Sequence, residues 1–464
     1  MAAVSVTCPV SARTASSRQD RSSDDKSCVM AMSVPCLMHW SHGRVPGTVG
    51  RVSTRTPATA PTTAVPDLRH RPGSPGFRRL NLATALVGLA GFGLLYATQP
   101  VLPELSAEFD VPAATASLSV SATTGALALL VVPATLLGLR LGRVRLIRGG
   151  LLAAVLLTLL AAAAPTFPLL VVLRGLGGAA LACAVALAMG HVAAEVHPRG
   201  LAAAMGLYVA GNSLGGVGGR LVTAGLADLV SWRWAIGGLA GVALLAALAA
   251  WWLLPDPQPV TSEHARGERG FGVLLRDPAV AAVLVVPFVL MGGFVATFNY
   301  LTYRLAAPPF ALPPAVIGLV FVTYLSGSAS SAAAGSLAGR IGRGPVLLGA
   351  LGVMAVGVAL TLPDTLPTLV VGLVLLTAGF FAAHAVASGW APVVGSASPS
   401  RASGLYVAAY YAGASVLGSL AGLAWDGAGW PAVAATVGGL AAAAALAAAY
   451  LWRVSARACS AARP

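Results

Sequence analysis

The chain has 464 residues, 57% of them hydrophobic and only 9% charged, with a mean hydropathy of +0.81. A soluble chain of this size covers its surface with roughly a quarter charged residues, so the outer surface here must be lipid. The net charge of +14 therefore does not point to nucleic acid, and soluble enzymes, secreted disulfide scaffolds and DNA-binding proteins are excluded.

Residues 1–79 form a separate object, rich in Ser, Thr, Pro and Arg, with 11 of the 29 basic residues and 4 of the acidic ones. The best signal-peptide window, Val29 to Trp40, is interrupted by Ser33, Pro35 and His39. The composition predicts a disordered cytoplasmic tail, because it cannot bury enough apolar area to offset its ordering entropy. An upstream start codon adding non-native sequence is the equal alternative.

A helix needs roughly 20 apolar residues to cross the hydrocarbon core. Apolar stretches are predicted at about 80–101, 114–138, 149–164, 168–190, 201–226 and 232–254. After the polar segment Pro255 to Asp277 they resume at about 278–303, 314–335, 344–362, 366–390, 402–425 and 430–452. The domains expected are the tail (1–79), a first six-helix bundle (80–254), a cytoplasmic linker (255–277), a second bundle (278–453) and a cytoplasmic C-terminal tail (454–464). The fold class is thus an all-α membrane protein of 12 transmembrane helices in two pseudo-symmetric six-helix bundles.

Arginine sets the expected orientation. With the N-terminus inside, the cytoplasmic loops and C-terminal tail hold 14 arginines, while the outer loops hold only Arg233 and Arg304. That asymmetry obeys the positive-inside rule and puts both termini in the cytoplasm of a bacterial-type plasma membrane.

An internal repeat supports two halves. Leu137-Gly138-Leu139-Arg140-Leu141-Gly142-Arg143 returns 200 positions later as Leu337-Ala338-Gly339-Arg340-Ile341-Gly342-Arg343. Gly206-Leu207-Tyr208-Val209-Ala210 returns as Gly404-Leu405-Tyr406-Val407-Ala408 after 198, and Asp228 and Trp232 return as Asp426 and Trp430. Parallel repeats of this kind are a transporter architecture.

The sequence resembles the major facilitator superfamily over roughly residues 78 to 453, specifically its YnfM-type branch among drug and sugar-efflux-like permeases. The resemblance rests on Tyr96-Ala97-Thr98-Gln99-Pro100, on Gly206 to Arg220, on Phe298-Asn299-Tyr300-Leu301-Thr302-Tyr303-Arg304 and on Phe380-Phe381-Ala382-Ala383-His384. It implies alternating access, two rigid bundles rocking about a central cavity. It also implies that Arg140, Gly142, Arg143, Arg340, Gly342 and Arg343 form inner-gate loops, although Leu139 and Gly339 stand where the family's signature has aspartate. Topology-setting arginines are the equal alternative for these loops.

Arg174 lies inside the fourth span, where a guanidinium costs on the order of 2.5–3.5 kcal/mol even on the lenient insertion scale. It matches the family motif linked to proton transfer, and tuning a neighbouring group is its expected role; a structural arginine bonded to carbonyls is the rival. Arg220 is a second intramembrane arginine, ending a run in which Gly211, Gly215 and Gly219 share one helix face and favour close packing. The run resembles an antiporter motif, with Gly216 in place of proline. His384 is the histidine well inside a span, and an imidazole changes charge near neutral pH, so Arg174 and His384 are the proton-coupling candidates.

Substrate-cavity candidates are Tyr96, Gln99, Asn212, Asn299, Tyr300, Tyr410 and Tyr411. Gln99 and Asn299 occupy repeat-related positions, as do Asn212 and Tyr410. Amides and phenols without a buried acid suit a neutral or anionic amphipathic molecule. The run His191 to His197 has metal-binding residue types but straddles a span's cytoplasmic end and is expected to be a solvated helix terminus. Cys8, Cys28, Cys36, Cys183 and Cys459 show no ligand spacing, and Lys26, the sole lysine, serves no P-loop.

The function expected is secondary active transport by alternating access, as proton-coupled efflux of small organic molecules. Alternatives are an uptake symporter or uniporter and, more distantly, a membrane-embedded sensor or enzyme. The partners expected are the lipid bilayer, a small-molecule substrate and a proton gradient; no nucleic acid, cofactor or metal is expected, and the chain is expected to be monomeric.

Overall fold

In a computed structural model the described residues are 69–255 and 271–461; what the sequence predicts for residues 1–68, 256–270 and 462–464 lies outside them. Helix is nearly all there is. The lone β-bridge among the described residues joins His70 to Val196.

The first half holds α1 (Pro75–Leu95), α2 (Leu118–Leu141), α3 (Arg143–Ala162), α4 (Phe167–Glu195), α5 (Pro198–Leu229) and α6 (Trp232–Leu253). The second holds α7 (Pro278–Ala306), α8 (Tyr324–Ile341), α9 (Arg343–Leu360) and α10 (Leu366–Val394), followed by a helical run Pro399–Ala461. That run has non-helical backbone at Ala428 and Gly429, with φ 64° at the glycine, and so divides into α11 (399–427) and α12 (430–461). Ten stretches among the described residues are long and apolar enough to cross a membrane, and one of them, Pro399–Arg457, contains both α11 and α12. The twelfth helix, α5, is diluted by 8 glycines, Asn212, Arg220 and Asp228.

Several boundaries differ from the sequence reading: α3 starts at Arg143 rather than near 149, and the eighth span divides into a short helix, Pro314–Gly318, a 3-10 turn and α8. α1 starts at Pro75, capped by Ser74, whose Oγ accepts from the Phe77 amide at 3.2 Å. α12 stays helical to Ala461.

Leu129, Leu229, Trp252 and Leu446 are each at least 75% exposed, as lipid-facing side chains must be. Between helices, packing runs on glycine. A Cβ on Gly211, Gly215 or Gly219 would overlap Ala85, Leu89 or Gly93, so α5 lies directly on the α1 backbone. Gly413, at the repeat offset from Gly215, meets the Phe288 carbonyl of α7 in the same way.

α1 is interrupted near its far end. Pro100 has no N–H to offer the Tyr96 carbonyl, and the chain passes through Tyr96–Thr98 into a 3-10 turn, Gln99–Val101, before a short helix, Leu102–Phe109. The carbonyls freed there are taken by Arg174 of α4, which is buried and donates to Leu94 O at 2.9 Å, Leu95 O at 2.7 Å and Ser119 O at 3.2 Å. A guanidinium at the carbonyl end of a helix is also favoured by the helix dipole.

Two stability outcomes follow from this packing. Gly215→Leu should cost on the order of 1–3 kcal/mol by overpacking and lower the detergent unfolding midpoint by several degrees, whereas the same change at Gly206, which opens on free space, should cost less. Arg174→Ala leaves the Leu95 carbonyl without its donor, at about 1–3 kcal/mol, and should lower the midpoint more than Arg174→Lys; an unchanged midpoint would show that Arg174 does not hold the α1 break.

Candidate substrate site

The break in α1 turns Gln99 off the helix axis and toward the other helices. Its Nε2 donates to Asn299 Oδ1 of α7 at 2.7 Å, and its Oε1 accepts from Arg220 Nε of α5 at 2.7 Å. Arg220 NH1 also donates to the Gly216 carbonyl at 2.6 Å. Gln99 and Asn299 are fully buried and Arg220 nearly so. One polar chain thus joins α5, α1 and α7, and it crosses from the first half to the second.

Aromatic rings enclose the guanidinium. Its carbon lies 4.3 Å from the ring centre of Tyr96, 5.1 Å from Phe321 and 5.2 Å from Tyr324. From Tyr324 the rings continue to Phe294 at 5.1 Å, which stacks on Phe380 at 3.9 Å. Phe380 lies parallel to His384, which packs against Tyr410 at 4.8 Å. Tyr410 in turn meets Tyr411 edge-on at 5.1 Å. The Tyr406 hydroxyl lies 3.0 Å from His384 Nδ1. Tyr324, Phe381, His384 and Tyr410 keep partial exposure, whereas Tyr96, Gln99, Asn299 and Arg220 do not.

Of the residues singled out from sequence, Tyr96, Gln99 and Asn299 come together around Arg220, and Tyr410 and Tyr411 extend the aromatic wall to His384. Asn212 lies against α1 at Gly88, its Oδ1 buried without a partner. Tyr300 belongs elsewhere: its hydroxyl donates to the Gly418 and Ser419 carbonyls at 3.2 Å, which makes it a packing residue between α7 and α11. Arg174 is occupied by carbonyls and sits apart from the polar chain. Sequence reasoning noticed Arg220 but gave it no substrate role, and it gave none to Phe294, Phe321, Tyr324 or Phe380; two of these, Phe294 and Phe380, share α7 and α10 with Asn299 and His384, which were singled out.

Among the described residues, hydrogen bonds between the halves gather toward the end where α1 finishes and α2 begins. There Ser106 Oγ and Tyr303 Oη are 2.7 Å apart, Tyr303 also donates to Leu102 O, Ser117 donates to Ser419 at 2.9 Å and Ser415 donates to Ser121 O at 2.8 Å. Backbones approach there too, since a Cβ on Gly422 would overlap Ala114. At the opposite end, Arg140, Arg143, Arg340 and Arg343 make no hydrogen bond or ion pair across the halves among the described residues. Gly142 and Gly342 end α2 and α8 with φ of 90° and 91°, a backbone that glycine tolerates best, so the repeat extends to the turn itself.

The two arginines outside the charge rule have a common task. Arg233 donates to the Ala162 and Ala164 carbonyls at the end of α3 and pairs with Glu108 at 2.6 Å. Arg304 donates to the Thr361, Leu362 and Pro363 carbonyls at the end of α9 and pairs with Asp364 at 2.8 Å. Trp232 Nε1 donates to Glu108, and Trp430 Nε1 to Thr361 O. Each half therefore closes its third helix with an arginine.

The His191 to His197 run is not a solvated terminus. His191 and Glu195 are buried, with His191 Nδ1 3.9 Å from Glu195 Oε1. The segment before α1 covers them: His70 N donates to Glu195 O at 2.7 Å and His197 N donates to His70 O at 3.0 Å, while Phe77 at the start of α1 packs against the cluster of Leu80, Val192, Val196 and Ala204.

The surface grooves lie away from the polar chain. One of about 430 Å³ runs between α2 and α11 with Ser121, Ser415 and Ser419 in its floor, and a smaller one follows the glycines of α1 and α5.

Comparison with known proteins agrees with this architecture. A family model of the Major Facilitator Superfamily matches residues 81–307. The inner membrane transport protein YnfM of Escherichia coli (strain K12) is 38% identical over 368 residues, covering 79% of this chain and 88% of that protein. The MFS-type transporter YybF of Bacillus subtilis (strain 168) is 35% identical, covering 78% and 90% respectively. Among solved structures, the nucleoside transporter NupG superposes with a TM-score of 0.67 at 13% identity, over 80% of this chain and 99% of its own, which speaks for the fold. Twelve helices in two repeated halves, a polar chain between them and this kinship place the chain in the major facilitator superfamily, as a YnfM-like multi-pass membrane transporter.

Proposed function

We propose that this transporter exports small organic molecules across the bacterial inner membrane by alternating access, driven by protons moving inward. The observation that carries the reading is the gathering of contacts between the halves toward one end. With both termini cytoplasmic, as the arginine distribution favours, those contacts close the external side and leave the aromatic wall open to the cytoplasm, the loading state of an exporter. The halves then part at Ser117–Ser419 and Ser106–Tyr303 while the gate loops at Arg140 to Arg143 and Arg340 to Arg343 approach.

His384 is the proton carrier in this scheme. It sits at the far end of the ring series from Arg220, retains exposure to the open side and shares a hydrogen bond with Tyr406, so a proton gained or lost there changes the wall that a solute contacts. The described acids lie at helix ends, leaving no carboxylate in mid-span to compete for the role. The transporter works as a monomer, each chain holding both halves of its pathway.

Two experiments test the scheme. In cells lacking other exporters, efflux that depends on this protein should stop when a protonophore collapses the gradient, and His384→Ala should lower proton-driven exchange at least tenfold while sparing counterflow; export indifferent to the gradient refutes the coupling. In a background without native cysteines, Ser117→Cys with Ser419→Cys should form a disulfide across the halves. Oxidation should reduce flux to background and reduction should restore it, and undiminished flux in the crosslinked protein would end the alternating-access reading.

A further inference from the structure

Arg220 is a buried cation without a counterion. Its two hydrogen bonds go to neutral acceptors, Gln99 Oε1 and the Gly216 carbonyl, and its second terminal nitrogen makes none. Among the described residues no carboxylate pairs with it, in contrast to Arg233 and Arg304, which have Glu108 and Asp364. Arg174 differs again, since three carbonyls satisfy it. Burying an unpaired charge at membrane depth is costly, and such a group is retained where something else supplies the opposite charge.

The atoms around Arg220 are donors in excess. Asn299 Nδ2 is fully buried and unpartnered, its Oδ1 being taken by Gln99. The Tyr96 hydroxyl, on the ring that faces the guanidinium, is likewise buried without a partner. A guanidinium edge with two adjacent idle donors matches a planar oxyanion, which accepts several hydrogen bonds and donates none. A cationic or purely neutral head group would leave these donors unanswered.

The surroundings specify the rest of the molecule. Tyr324 flanks the guanidinium and keeps partial exposure, as do Phe381, His384 and Tyr410 further along, so a flat apolar body attached to the carboxylate has ring faces to lie on. Resting on the transporter reading above, we infer that the substrate class is organic monocarboxylates with an aromatic or similarly flat apolar body, and that Arg220 is the residue that binds the carboxylate. Bidentate binding uses Nε and its neighbouring terminal nitrogen, and Gln99 now holds Nε. The arriving carboxylate therefore displaces Gln99, the same amide that ties Asn299 across the halves, so occupancy loosens the closed end.

The test uses the purified full-length chain in lipid nanodiscs and one ring with three head groups: naphthoate, naphthamide and naphthylmethylamine, with acetate as the head group alone. Ligand-induced shifts of the unfolding midpoint give apparent affinities. Naphthoate should bind at least tenfold more tightly than the amide, the amine or acetate. Arg220→Gln should abolish that preference, and Arg220→Lys, which keeps the charge but loses the fork, should weaken naphthoate binding while still favouring it over the amide. Equal binding of amide and carboxylate, binding of none of the probes, or a preference that survives Arg220→Gln overturns the assignment; should Arg220→Gln fail to fold, an Arg220→Lys protein that binds the amide as well as the carboxylate does so. Gradient-driven efflux that persists without carboxylate selectivity leaves the transporter reading intact and removes only the anion.

Discussion

A carbonyl group in hydrocarbon has no water to turn to, and this constraint governs the break in α1 on which the site depends. α1 cannot run straight past Pro100, so Leu94 and Leu95 take their hydrogen bonds from Arg174 instead. α3 and α9 stop at the same end of the molecule, and there Arg233 and Arg304 reach their last carbonyls. The arginines that look anomalous in a membrane sequence are mostly donors supplied where a helix stops. Arg220 is the exception, and the break that Arg174 stabilises is what brings Gln99 to it.

The repeat explains how the site can be both duplicated and one-sided. Glycines at matched positions, Gly215 and Gly413, press α5 on α1 and α11 on α7, so the two halves present similar inner faces. Onto that shared frame each half adds different chemistry. The position matching Arg220 is Gly418, and the partner of Gln99 is Asn299. Two related amides bridge the halves while a single cation stays on the first. Divergence of side chains on a duplicated backbone turns a symmetric crevice into a polarised one.

Helices, their number and their pairing were legible because lipid imposes a length and a polarity on any segment that spans it. The repeat at Gly142 and Gly342 was legible to the level of backbone conformation. The site was legible in part. Repeat matching singled out Gln99 and Asn299, whose side chains the fold brings together, whereas Tyr300, added for its phenol alone, turns its hydroxyl to α11 carbonyls. Hydropathy sees only the mean character of a window. It placed His191 and Glu195 at an apolar run's edge, whereas the segment around His70 folds over them and shuts out water.

The sequence by itself determined a lipid-embedded, twice-repeated set of helices and the family that goes with it, because apolar length, glycine spacing and arginine asymmetry are one-dimensional properties. Tertiary structure alone decided which arginine is spent on carbonyls and which is left with idle valence. It also decided at which end the halves meet and which rings face the charge. Those outcomes depend on the direction in which each side chain leaves its helix and on what a distant helix places opposite it, and neither is written in the local pattern.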